Sequence, residues 1–108
     1  MRKILTGVRA CKGSAKGIAK IVKTVEDVKK VSKENVLIAE KTTPFFMPAM
    51  LKAKALVTEE GGYLSHAAIF SREIGLPCIV KVSNLLKEVK NNDIIEIDES
   101  GFEVVISR

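Results

Sequence analysis

Ala55-Leu56-Val57-Thr58-Glu59-Glu60-Gly61-Gly62-Tyr63-Leu64-Ser65-His66-Ala67-Ala68-Ile69-Phe70-Ser71-Arg72-Glu73-Ile74-Gly75-Leu76-Pro77-Cys78-Ile79-Val80 holds the pattern that decides the fold. Ala55 to Thr58 is a short apolar run, the pattern of a strand buried on both faces. Glu59 to Gly62 is a loop, and its glycine pair lets the backbone turn sharply and approach another group closely. Ser65 is placed as an N-cap, and Ser65 to Ile74 is the strongest helix in the chain, closed by Gly75 and Pro77. Cys78 to Val82 then returns as a strand.

The same alternation extends outward. Residues 4–9 and 17–23 read as strands, with turn chemistry at residues 12–17 between them. Val25, Val28 and Val31 fall at helical spacing, so a short helix is expected there. Asn35 to Glu40 reads as a buried strand, broken by Thr42-Thr43-Pro44. Phe46 to Lys54 is expected to be a helix with Pro48 in its first turn, where a missing N–H costs little. Leu85 to Val89 is a helical turn. Residues 93–98 and 102–106 form a hairpin pair around Glu99-Ser100-Gly101. The sum is an α/β domain with its helices on part of the sheet.

Composition sets limits. The chain has 108 residues, 46% hydrophobic and 29% charged, which fits one domain over residues 1–108 with a real core. No apolar run approaches the roughly 20 residues that span a bilayer, and no long apolar segment follows the basic start. A cytoplasmic protein is expected, with Cys11 and Cys78 as reduced thiols, and neither a membrane partner nor a metal site on this chain. So small a domain is expected to supply only part of any active site.

The net charge of +5 is uneven. Arg2, Lys3, Arg9, Lys12, Lys16, Lys20, Lys23, Lys29, Lys30 and Lys33 stand against only Glu26 and Asp27 in the first 33 residues. No aromatic residues interleave with these cations, which argues against binding of single-stranded nucleic acid. A solvated face, or a surface steered toward acidic partners, remains.

Chemistry concentrates at His66. At the first position of a helix it stands in the positive field of the terminus, beside free backbone N–H groups suited to an anion. A neutral imidazole nitrogen can take a phosphoryl group, whose oxygens those N–H groups would hold. Ala67 and Ala68 leave room around the ring. A surface or capping histidine fits the same spacing. Arg72 could bind phosphate bidentately, or serve in a structural ion pair on another side of the helix. Ser65 is a weak nucleophile, because no second histidine exists to act as its base and Gly-x-Ser-x-Gly is absent.

Gly61-Gly62-Tyr63-Leu64-Ser65-His66-Ala67-Ala68-Ile69, followed by Arg72-Glu73-Ile74-Gly75-Leu76-Pro77, resembles the phosphohistidine signature of the phosphoenolpyruvate-utilising enzymes. Gly13-Ser14-Ala15-Lys16-Gly17, Asn35-Val36-Leu37-Ile38, Thr43-Pro44 and the closing hairpin extend the likeness over nearly the whole chain. The resemblance implies a swivelling β/β/α domain, three-layered with a mixed sheet. It implies His66 as the phosphorylated residue, with Gly61, Gly62, Ser65 and Arg72 around the phosphate. It implies two partners: an ATP-grasp nucleotide-binding subunit, and a barrel subunit that binds pyruvate or phosphoenolpyruvate, with Mg2+ on those partners. A stand-alone phosphotransfer domain is the leading expectation; a non-catalytic regulatory module of the same fold is the alternative. Leu64 stands where several members carry Thr, and Lys81, Asn92 and Glu99 stand where glycines are usual.

Overall fold

Residues 36–39 show why the chain folds in layers. Side chains alternate across a strand, so Val36 and Ile38 leave one face while Leu37 and Ala39 leave the other. All four are fully buried, in two different cores. Burying one Leu or Ile side chain stabilises by about 2 kcal/mol, so a strand apolar on both faces is driven to the centre of a three-layer domain.

The computed structural model describes residues 1–99 and 102–108. Its strands are β1 (Arg2–Thr6), β2 (Val8–Cys11), β3 (Ala15–Ile21), β4 (Asn35–Ala39), β5 (Ala55–Thr58), β6 (Cys78–Val80), β7 (Ile94–Ile97) and β8 (Glu103–Ser107). They form one mixed sheet in the order β1-β8-β7-β3-β4-β5-β6-β2. β3, β4, β5 and β6 run parallel; β1, β2, β7 and β8 pair antiparallel. The helices are α1 (Val25–Lys29), α2 (Met47–Lys52), α3 (His66–Ile74) and α4 (Leu85–Glu88). One core lies between the central strands and α1 to α3, joining Leu37, Leu56, Cys78 and Val80 to Val28, Met50, Ala67 and Ala68. The other lies between the β layers, joining Val36, Ile38, Val57 and Ile79 to Ile95, Ile97, Val104 and Ile106. The expected β/β/α layering with a mixed sheet is the observed one.

The expected strand 4–9 is in fact two strands. β1 and β2 lie at opposite ends of the strand order, and Gly7 alone connects them. The sheet therefore curls until its two ends meet at that residue. A Cβ on Gly7 would lie 2.5 Å from Val82 Cγ2 and 2.6 Å from the Val80 carbonyl oxygen, so only glycine fits. The Gly7 N–H donates to the Phe102 carbonyl at 2.9 Å, continuing the β1–β8 pairing into the corner.

Other boundaries moved for local reasons. β6 ends at Val80, two residues earlier than expected, because Lys81 turns into the left-handed region at φ 58°. Asn92 does the same at φ 77°, a conformation Asn tolerates through its short polar side chain. The expected helix 46–54 is a 3-10 turn at Pro44–Phe46 followed by α2, with Pro48 in its first turn. α1 begins one residue after Thr24, whose hydroxyl accepts from the Asp27 N–H while the Asp27 carboxylate accepts from Lys23 and Thr24 N–H groups. Those bonds, the Lys23 N–H foremost, hold the Asp27 carboxyl below the ordinary carboxylate range. The hairpin turn expected at Glu99-Ser100-Gly101 lies partly outside the described residues. At the C-terminus, Arg108 clamps the buried Asp93 carboxylate with Nε at 2.9 Å and Nη2 at 3.1 Å, and Lys90 N–H adds a third bond. The Arg108 guanidinium is the main reason that the Asp93 carboxyl also sits below its usual range.

Candidate functional site

Parallel strands carry the loops that follow them to the same end of a sheet. β4 and β5 are parallel neighbours, with Ala39 opposite Thr58. The segment after β4, Glu40 to Thr43, therefore meets the segment after β5, Glu59 to Ser65. Glu60 N–H donates to the Glu40 carbonyl at 2.8 Å and fixes the two together. α3 starts from this junction with His66 as its first residue.

Ser65 caps the helix. Its hydroxyl accepts from the Ala68 N–H at 3.3 Å and donates to the Gly62 carbonyl at 2.8 Å. Both roles of the hydroxyl are thus used by the loop and the helix. By helix geometry the N–H groups of His66 and Ala67 have no intrahelical acceptor. Gly61 sits at φ 115°, and a Cβ there would stand 3.1 Å from Ser65 Oγ. Gly62 differs: a Cβ would meet open space, so its contribution to the fold is the carbonyl that receives Ser65.

The His66 ring is held on two sides. Nδ1 lies 2.8 Å from the Thr42 hydroxyl, and Thr42 is only 8% exposed. Phe70, one turn along α3, stacks on the ring with an interplanar angle of 8° and centroids 6.0 Å apart. Lys41, Thr42, Glu60, Gly61, Ser65, His66 and Ala67 line a cavity of about 190 Å3. Lys41 is its cation and Glu60 its carboxylate. Lys41 also borders a larger neighbouring cavity of about 470 Å3, with Lys23, Glu40 and Thr43 at its polar side and Val22, Phe46 and Leu86 at its apolar side.

Of the residues expected at the site, His66, Ser65 and Gly61 come together around this cavity, while Gly62 stands one residue outside its lining. Arg72 is elsewhere. Its Nη1 donates to the Ala10 carbonyl at 3.1 Å, its Nη2 donates to the Tyr63 carbonyl at 2.7 Å, and its guanidinium stacks 4.0 Å over the Tyr63 ring. The structural role weighed for it is realised through carbonyls and an aromatic face, not through an acid. It fastens the Gly61–Ser65 loop to β2. Thr42 and Lys41 were missed in the sequence, where Thr42 read only as a strand breaker. The signal available was positional: a polar residue just past the end of one parallel strand faces whatever follows the next.

Among the described residues no group of three or more His, Cys, Asp or Glu could hold a metal ion, and no helix is long and apolar enough to cross a membrane.

Comparison with known proteins adds the lineage of this arrangement. A probable phosphoenolpyruvate synthase of Methanothermobacter thermautotrophicus is 40% identical over 95 residues, covering 88% of this chain and 14% of the relative. The phosphoenolpyruvate synthase of Aeropyrum pernix is 40% identical over 98 residues, covering 90% of this chain and 12% of the relative. The chain thus spans about an eighth of the length of these curated relatives. The solution structure of an Enzyme I protein superposes with a TM-score of 0.61 at 28% identity, over 73% of this chain and 33% of that one. Residues 31–101 match the model of the family described as PEP-utilising enzyme, mobile domain. With its histidine at the head of α3 and its three layers in place, this chain belongs to that family.

Proposed function

We propose that residues 1–108 act as one phosphoryl carrier in which His66 Nε2 accepts the group and returns it. The Thr42 contact carries this reading. A neutral imidazole has one N–H and one lone pair. With the proton on Nδ1 and donated to Thr42 Oγ1, the lone pair falls on Nε2. Nε2 attacks phosphorus, the N–P bond forms, and the bond from phosphorus to the leaving oxygen breaks. The return transfer reverses these events while the proton stays on Nδ1. Phosphoryl transfer depends on positioning and charge neutralisation. The Phe70 stack and the Thr42 bond supply the first. The N–H groups that open α3 and the Lys41 ammonium supply the second. Gly61, Gly62 and Ser65 shape the phosphate site through the loop backbone. Arg72 acts by holding that loop.

Carriers work between other sites. The relatives are much longer proteins, which supports placing those sites on further domains or chains. We assign the donor side to an ATP-grasp nucleotide-binding partner and the acceptor side to a barrel that binds pyruvate or phosphoenolpyruvate. Mg2+ belongs with those partners and the whole system with the cytoplasm. The test is to offer the chain ATP or phosphoenolpyruvate, with and without cell extract, and to offer it potassium phosphoramidate as a partner-free donor. Mass spectrometry is expected to find an acid-labile gain of about 80 Da at His66, lost in His66→Ala and kept in Ser65→Ala. Absence of labelling from every donor would overturn the carrier reading in favour of a regulatory module.

A further inference from the structure

The chain's two cysteines lie far apart in sequence and directly opposite each other in the fold. β2 and β6 pair antiparallel with Val8 against Val80, Arg9 against Ile79 and Cys11 against Cys78. Ala10 is the extra residue of a bulge between the last two pairs, and it turns Cys11 onto the same face as Cys78. Both thiols face the helix-side core: Cys78 is part of it and Cys11 packs against it. Directly opposed residues in an antiparallel ladder have Cα atoms about 4.5–5.5 Å apart, inside the roughly 4.4–6.8 Å range that a disulfide spans. Both cysteines are free thiols here.

The two differ in access. Cys78 is fully buried, and burial pushes its thiol up to about 12, partly offset by the Ser71 hydroxyl. Cys11 is half-buried, its thiol donating weakly to the Lys12 carbonyl at 3.7 Å. It opens into a cavity of about 410 Å3 lined by Arg9, Ala10, Cys11, Lys12, Tyr63 and Arg72. Three cations lining the cavity beside the half-buried Cys11 favour an anionic low-molecular-weight disulfide, such as oxidised glutathione, as the reagent that reaches it.

We infer that Cys11 and Cys78 form a reversible thiol–disulfide modification site, entered through Cys11 from the Arg9–Lys12–Arg72 cavity. The Cys11 sulfur, having released its proton, attacks one sulfur of the small disulfide. The S–S bond breaks, one small thiol leaves with a proton, and Cys11 holds a mixed disulfide. The Cys78 sulfur then attacks Cys11, loses its own proton, and releases the second small thiol. Two protein thiols are oxidised by two electrons and one small disulfide is reduced to two thiols. The bond spans 67 residues (78 minus 11), so it removes much freedom from the unfolded chain. It also pins the strand next to Ala10, whose carbonyl anchors Arg72 and, through it, the loop that ends at His66.

The test equilibrates the full chain in glutathione buffers of stepped oxidised-to-reduced ratio, quenches with acid, alkylates, and weighs the intact protein. The expected product is monomeric, about 2 Da lighter than the reduced chain, and protected from alkylation at both cysteines. Its thermal midpoint is expected to rise by more than about 10 °C and to return after reduction. Cys78→Ala is expected to stop at a glutathione adduct on Cys11, and Cys11→Ser to stay unmodified. Wild-type protein that keeps two alkylatable thiols in fully oxidised buffer, or that yields only the Cys11 adduct or chain-to-chain dimers, overturns the inference. None of these readouts depends on phosphorylation of His66.

Discussion

Replacing Thr42 by valine removes one hydroxyl and nearly preserves the shape of a buried side chain. The hydroxyl lies 2.8 Å from His66 Nδ1 and is the only partner that the described residues give this ring nitrogen. In the proposed carrier the His66 Nδ1–H donates to this hydroxyl, which holds the tautomer that leaves the lone pair on Nε2. A bond of this kind contributes about 0.5–1.5 kcal/mol net. Spent on ring orientation and tautomer, that corresponds to a fall of about 2- to 13-fold in the rate of His66 phosphorylation. The Phe70 stack remains in the variant, so the ring stays in its cavity and the loss is partial. Phosphorylation of the isolated chain with phosphoramidate, followed by 31P NMR, reads rate and position together, because Nε2 and Nδ1 adducts resonate apart. Wild-type chain is expected to give the Nε2 adduct. Thr42→Val is expected to be slower and to show some Nδ1 adduct, and Thr42→Ser to restore wild-type behaviour. Equal rates and a single Nε2 product in Thr42→Val, or Nδ1 product in the wild type, would refute the reasoning.

Three further outcomes are expected. Gly7→Ala places a Cβ 2.5–2.6 Å from Val82 and the Val80 carbonyl, so the urea midpoint should fall by the equivalent of about 3 kcal/mol; an unchanged midpoint would mean the sheet does not close through that residue. Asp93 has a depressed carboxyl, so its share of stability is present above the ordinary aspartate value of about 3.9 and is lost as pH falls through and below it. Acid titration of Asp93→Asn should accordingly show a shallower loss of stability below about pH 4 than wild type, and parallel curves would assign that loss to other groups. Lys41→Gln should slow phosphorylation of His66 about two- to fivefold and flatten its dependence on ionic strength, since Lys41 is the cation of the cavity; an unaltered salt response would remove Lys41 from the site.

Local rules made α3 legible. Its Ser65 cap, Gly75 stop and apolar face are written in adjacent residues, and Asn92, standing where glycine is usual in the resembling family, takes up a left-handed turn. The break at Gly7 was not legible, because β-forming residues on both sides of one glycine look the same whether the strand continues or changes edges. Only the clash at Val82 and Val80, some 70 residues on, decides it. Thr42 was invisible for a related reason. Its partner lies 24 residues away and is brought to it by the pairing of β4 with β5, not by any local pattern. The resemblance put Arg72 beside the phosphate, whereas its guanidinium is taken by the carbonyls of Ala10 and Tyr63, which carry no side-chain signal at all.

β3 has a consequence for how the family signature is understood. It is the seam of the sheet, antiparallel to β7 on one side and parallel to β4 on the other. The stretch shared with the family model starts at residue 31, ten residues after β3 ends. A peptide trimmed to that stretch would keep His66, Thr42 and the glycine loop yet lose β3, together with β1, β2 and β8. The signature is therefore a chemical unit and not a folding unit. The groups that hold its histidine lie inside that stretch, while the strand on which β4 is paired lies outside it.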